Sequence, residues 1–207
     1  MSALDFSLSL PADWLVLDTE GERIPVQIGQ LLDEAEQRDA GVKAHRGMIE
    51  KQLRAVLRSV RAQDLSFCAM LATVVEDVLP MYATLTGALR GRSGGNDVTA
   101  ILAELQRKHH GNVRRIPIGD LVGVRAAFRT TASDESLAKP VEAAVWQYFI
   151  PSRQGDRVAV LTGSTPMLML EQQFGELFDA MVGTFRFTDA AAVTPNSASP
   201  SKSQEAS

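Results

Sequence analysis

The sequence predicts an α+β protein: a mainly antiparallel β-sheet sandwiched by helices. Three observations carry this prediction. Segments rich in β-branched and aromatic residues follow one another across turns too short for a parallel crossover. Met167, Leu170, Phe174, Leu177, Phe178 and Met181 recur at helical spacing and form one apolar stripe that must lie on a sheet. Two further helical patterns, over 27–62 and 97–110, interrupt the strands and supply more cover for that sheet.

Phe6-Ser7-Leu8-Ser9-Leu10 alternates apolar and polar, Pro11-Ala12-Asp13 turns, and Trp14-Leu15-Val16-Leu17 answers. An N-terminal hairpin is expected. From Gln27 the period becomes helical. Ile28, Leu31, Leu32 and Ala35 form one stripe, and Met48, Ile49, Leu53, Val56, Leu57 and Val60 another. Gly41 and Gly47 lie between the stripes and predict a break. Asp33, Glu34 and Glu36 precede Lys51, Arg54, Arg58 and Arg61, the charge order that a helix dipole favours.

Two strands follow over 66–75 and 79–89, joined through Glu76-Asp77. Pro80 must then sit at the start or edge of its strand, where a missing donor is tolerated. Arg90-Gly91-Arg92-Ser93-Gly94-Gly95 reads as a loop. Asn96 or Asp97 caps a short helix carrying Val98, Ile101, Leu102 and Leu105, which Gly111 ends. Val113 to Ile118 and Leu121 to Thr131 form a strand pair turning at Gly119-Asp120.

Val141 to Ile150 is the next strand, and Gly155 in the following turn is free to adopt positive φ. Arg157 to Thr162 runs back beside it. Thr162-Gly163-Ser164-Thr165-Pro166 reads as a helix start, with a hydroxyl at the N-cap and proline in the first turn. Gly183 is expected to end that helix in a left-handed cap, before a closing strand from Thr184 to Phe187. The domain is expected to occupy 1–188. Residues 189–207 are Ala, Ser, Pro and polar residues that cannot bury enough apolar surface to offset ordering, so a disordered tail is expected.

At 207 residues and 45% hydrophobic, the chain suits a single domain with a real core. It contains no apolar run long enough for a transmembrane helix, and Met1 to Phe6 lacks the basic and apolar regions of a secretory signal. The single cysteine, Cys68, excludes an internal disulfide and fits a reducing compartment, so a cytoplasmic location is expected. The net charge of −4 hides a segregation. Residues 1–39 hold 9 acids and 2 bases, residues 40–129 hold 14 bases and 7 acids, and the remainder hold 5 bases and 9 acids. Such asymmetry guides partner choice rather than fold.

Phe6 to Leu10 followed by Pro11-Ala12-Asp13-Trp14 resembles the opening "strand, Leu-Pro-x-x-Trp" of the PsbP-like and Mog-like α/β/α sandwich superfamily. Val158 to Pro166, the helix after it, and Thr184-Phe185-Arg186-Phe187 resemble that superfamily's last hairpin, long helix and final strand. The likeness spans roughly 4–188 and is nearest to small actinobacterial proteins of the LpqN type. It departs from those lipoproteins in having neither a signal peptide nor a lipidation cysteine near the N-terminus. The resemblance implies an accessory or adaptor protein that docks onto a larger assembly.

No residue pattern argues strongly for catalysis. His109 and His110 are adjacent, so on a helix they point about 100° apart and cannot share a metal as an i, i+4 pair would. They suit carbonyl capping near Gly111, and His45 has no ligand partner at metal spacing. Ser164 lacks the Gly-x-Ser-x-Gly context of an activated serine. The 91–95 glycines lack a following Lys-Ser/Thr, and Glu76-Asp77 point apart on a strand turn. No cofactor is therefore expected.

Lys51, Arg54, Arg58 and Arg61, spaced by 3, 4 and 3, fall on one helical face. They are a solvated face, a docking face for an acidic protein surface or, least favoured, a contact for nucleic acid or anionic lipid. Few aromatics are interleaved for base stacking, so nucleic acid is disfavoured. The expected function is a non-catalytic protein-binding module, with self-association open through its complementary charges. The alternative is a small-ligand-binding protein with a pocket lined by Trp146, Tyr148 and the methionines of the 166–182 helix.

Overall fold

The computed structural model describes residues 6–17, 24–38, 43, 45–47, 49–51, 65–75, 79–91, 98–108, 112–132 and 141–188. Its strands are β1 (Phe6–Ser7), β2 (Trp14–Leu17), β3 (Phe67–Val75), β4 (Leu79–Gly91), β5 (Val113–Ile118), β6 (Leu121–Ala132), β7 (Val141–Pro151), β8 (Arg157–Thr165) and β9 (Arg186–Phe187). Among the described residues they are accompanied by the α-helices α1 (Ile24–Arg38), α2 (Val98–Lys108) and α3 (Glu171–Gly183). Seven strands form one sheet in the order β2-β3-β4-β8-β7-β6-β5, and every neighbouring pair described is antiparallel. The α+β class with a mainly antiparallel sheet is thus present.

Strand alternation sorts the core into layers. On one face Trp146, Tyr148, Ala159 and Leu161 pack with Phe174, Phe178, Met181 and Val182 of α3. On the other, Phe149, Val158 and Val160 join Val124 and Ala126 beneath Ile101 and Leu105 of α2. That same second face, at the β2-β3 edge, presents Leu17, Cys68, Met70 and Ala72 to Ile28, Leu32 and Ala35 of α1. Helices therefore lie against both faces. Helical backbone recurs at 43, 45–47 and 49–51, where Ile49 joins the α1 cluster and Arg46 bridges Asp33 at 2.8 Å and Glu36 at 2.6 Å.

Phe178 sets the spacing between α3 and the sheet. Its ring lies directly over Gly163 of β8, where a Cβ would stand only 2.7 Å from the ring carbons. Trp14 and Trp146 flank the ring, with centroids 6.0 and 5.3 Å away. The apolar stripe read from the sequence is core, as Phe174 and Phe178 are 5% and 0% exposed.

Several expectations require correction. The N-terminal hairpin does not form. β1 pairs instead with β9 in a separate two-stranded sheet, Phe6 opposite Phe187, while β2 pairs with β3. Alternation marks a strand but not its partner, and aromatic packing decides the matter here. Phe6 stacks on Phe185 at 5.4 Å and meets Phe67 edge-on at 6.0 Å. The closing strand is accordingly short and lies outside the main sheet.

The helix start is also displaced. Thr162-Gly163-Ser164-Thr165 remains in β8, all four paired to β7 and Thr162 to Ser164 also to β4, because a sheet ladder satisfies the backbone there. Thr165 Oγ1 still accepts from Met167 N–H at 3.1 Å, but it leads into a 3₁₀ turn at Leu168–Leu170, and α3 begins only at Glu171 without a side-chain cap. Gly183 is not left-handed. It is the last helical residue, and Thr184 closes the end by donating its hydroxyl to Met181 O at 2.7 Å.

Other expectations agree with the structure. Gly119 and Gly155 have φ of 59° and 71° in their turns. Pro80 sits at the start of β4, beyond the reach of β8, whose pairing begins at Thr84. α1 begins at Ile24, three residues before the periodicity shows, with Pro25 in the first turn where no N–H is needed. The 189–207 tail, Glu76-Asp77, the 92–97 loop and the caps proposed at Asn96, Asp97 and Gly111 lie outside the described residues.

Candidate binding groove between α3 and the β5-β6 edge

Arg125 of β6 and Tyr148 of β7 are register partners, so both project to the α3 face. Asp179 follows Phe178 by one residue and borders the apolar stripe of α3. These placements converge on one carboxylate. Tyr148 donates its hydroxyl to Asp179 Oδ1 at 2.7 Å, Arg125 Nε lies 2.8 Å from the same oxygen, and Arg114 Nη2 donates to Oδ2 at 3.3 Å. The Arg125 contact is off the hydrogen-bonding line and acts as an ion pair. The Arg125 side chain is 11% exposed, a low value for a charged group, which its carboxylate partner makes tolerable. Burial, then the Asp179 hydrogen bond, pushes the Tyr148 phenol far above its usual range, so it stays a neutral donor.

A groove of about 500 Å³ opens beside this cluster. Its floor includes Trp146, Arg125 and Asp179, and its rim carries Leu168, Met169 and Glu171. Met169 is 74% exposed, the largest exposure among the big apolar side chains described. Arg129 holds Glu171 at 2.7 Å, and Gln172 donates to Glu176 Oε1 at 3.0 Å, which orders the polar side of the rim. Gly175 lies in the middle of α3 where the helix crosses Trp146. A Cβ there would meet Trp146 Nε1 at 3.0 Å and Arg125 Nη2 at 3.3 Å.

A second cavity, about 320 Å³, sits at the sheet end between the Gly119 and Gly155 turns. Its charged groups are engaged in holding the turns together. Arg153 pairs with Asp120, Ser152 donates to Asp156 at 2.6 Å, Arg186 Nη1 donates to Phe185 O at 2.6 Å, and the Arg157 guanidinium lies 5.7 Å from the Phe187 ring centre.

The residues singled out from the sequence fall elsewhere. Lys51 is exposed on helical backbone, whereas Arg54, Arg58 and Arg61 lie outside the described residues, as do His109 and His110. Ser164 shares a 2.7 Å hydrogen bond with Thr84 across β8 and β4, with no histidine beside it in that pair. Cys68 is fully buried, and burial pushes its thiol up to about 12, which makes it inert at neutral pH. Among the described residues, no group of three or more His, Cys, Asp or Glu side chains is placed to hold a metal. No described helix is long and apolar enough to cross a membrane. Of the residues expected to line a ligand pocket, Trp146 and Met169 line the groove, whereas Tyr148 is completely buried and Met181 is core.

Arg125 and Asp179 were missed by the sequence reading. Their signal was there but faint: one arginine in the apolar run Leu121 to Phe128, and one carboxylate beside the helix stripe. Only the sheet order brings them together.

No family model matches the chain, and no curated protein matches it. A solved structure from Bacteroides thetaiotaomicron VPI-5482 aligns with 90% of this chain at 10% identity and a TM-score of 0.42. This chain spans 46% of the length of that one.

Proposed function

We propose that this chain is a non-catalytic accessory module that docks a partner protein in the groove between α3 and the β5-β6 edge. The observation that carries the reading is Met169, an unbranched apolar side chain 74% exposed at the mouth of a groove with an ordered polar floor. Interfaces are enriched in methionine, arginine and aromatic residues, the types assembled here. Arg125, Asp179 and Tyr148 are tied to one another, which suits a rigid recognition surface.

The proposal includes kinship with the PsbP-like and Mog-like sandwiches of the LpqN type, which helices on both faces of the antiparallel sheet support. It further includes one domain over 1–188 and a cytoplasmic location. The fully buried lone cysteine is compatible with that location. The competing docking face is the Lys51, Arg54, Arg58 and Arg61 stripe. A small-ligand reading is favoured by the 500 Å³ volume and the Trp146 floor.

Affinity purification from the native host separates these readings. A stoichiometric protein recovered with the wild type and lost with Met169→Glu supports docking in the groove. Loss on reversing the four stripe cations to Glu, with Met169→Glu still binding, places the partner on the stripe. A co-purifying small molecule with no protein overturns the adaptor reading.

A further inference from the structure

We infer that the groove contains a carboxylate-binding subsite, so that the docked partner presents an acidic side chain or chain end to Arg125 and Trp146. This deepens the docking proposal and rests on it for the identity of the occupant.

The argument begins with donors that the fold leaves over. Arg125 carries five N–H donors in a fixed fork, yet among the described residues its carboxylate contact is the Nε approach to Asp179. No described carbonyl accepts from its Nη groups, and unlike Nε these are not sealed from the groove. Trp146 is 3% exposed, and no described acceptor takes its indole N–H. A buried indole N–H usually finds a partner. Both donors emerge at one spot, beneath Gly175, because a Cβ there would come within 3.0 Å of Trp146 Nε1 and 3.3 Å of Arg125 Nη2. Glycine is less favourable than alanine inside a helix, and here its lack of a side chain leaves these two donors uncrowded.

Arg114, 62% exposed, is a further donor at the groove and reaches the same carboxylate at 3.3 Å. One carboxylate, Asp179, thus serves two guanidiniums. A planar acceptor suits the vacant positions, because guanidinium forks match carboxylate geometry in pairs. The wider lining adds Glu171 and Glu176, with Arg129 answering Glu171, so no strong positive field surrounds the spot. Recognition then depends on aligned donors rather than net charge, and the lone group should bind weakly, in the millimolar range. Met169 and Leu168 stand at the same mouth, and a free small acid would leave them uncovered. A carboxylate borne on a peptide would cover them.

The test is a titration of the ¹⁵N-labelled full chain with N-acetylglutamate at constant ionic strength. The chain has two tryptophans, so its indole N–H signals are two and Trp14→Phe assigns them. The expected result is a saturable shift of the Trp146 signal with N-acetylglutamate. Neutral N-acetylglutaminamide, chloride and sulfate should leave it unmoved. Gly175→Ala keeps every charge and improves helix propensity, and should weaken binding at least tenfold. Absence of a saturable shift, an equal response to sulfate or chloride, or full binding by Gly175→Ala overturns the inference. If the Met169→Glu variant still loses the partner in that event, docking in the groove survives without the carboxylate subsite.

Discussion

Tyr148 and Cys68 both owe their protonation to burial, one facing α3 and the other facing α1. Each has a folded pKa above its unfolded value, so each contributes stability that is complete below the unfolded pKa. For Cys68 that contribution falls away as pH rises from about 9 toward about 12, and Tyr148 adds a loss in the same direction above about 10. The urea midpoint should therefore decline steadily on raising pH above about 9. A midpoint flat from pH 8 to 11 would contradict the burial of both groups. In the same samples at pH 8, a thiol reagent should modify Cys68 only after denaturant is added. Gly163 gives a steric test at this scale. Gly163→Ala forces a methyl against the Phe178 ring and should cost about 1–3 kcal/mol by chemical denaturation. An unchanged midpoint would mean that the ring does not sit where we describe it.

The element that matters most is α3, because it closes one core layer and borders the groove. Phe174→Ala and Phe178→Ala should each cost about 3–5 kcal/mol, the latter at the upper end because its ring also touches both tryptophans. Thermal melts unchanged by either substitution would remove α3 from the core. This helix also shows what a sequence discloses. Its stripe was legible because helical periodicity is local, and so were the turns at Gly119 and Gly155. Its start was not legible, since Thr162 to Thr165 carry cap-forming side chains that the neighbouring strands claim for β8. Likewise the Phe6 segment reads as a strand, but its partner lies 181 residues away in register with Phe187, a choice made by ring packing that spacing cannot report. The groove was the least legible feature. Arg125 and Asp179 are 54 positions apart and meet only once β6 stands beside β7 under α3.

At the scale of the whole molecule, the seven-stranded sheet organises three apolar clusters, and the groove lies where α3 leaves the β5-β6 edge uncovered. We propose that residues 1–188 suffice for this arrangement. Truncation after residue 188 should then leave the melting temperature and far-UV spectrum intact, and a large loss would move the domain boundary. The central claim is that a partner docks beside α3. Hydrogen–deuterium exchange of the full chain, alone and saturated with the partner recovered by affinity purification, tests it most directly. The account predicts added protection across Leu168 to Asp179 and in β5 and β6 around Arg114 and Arg125. Protection confined to the segment around Lys51 to Arg61, with the α3 groove exchanging as in the free protein, would contradict it.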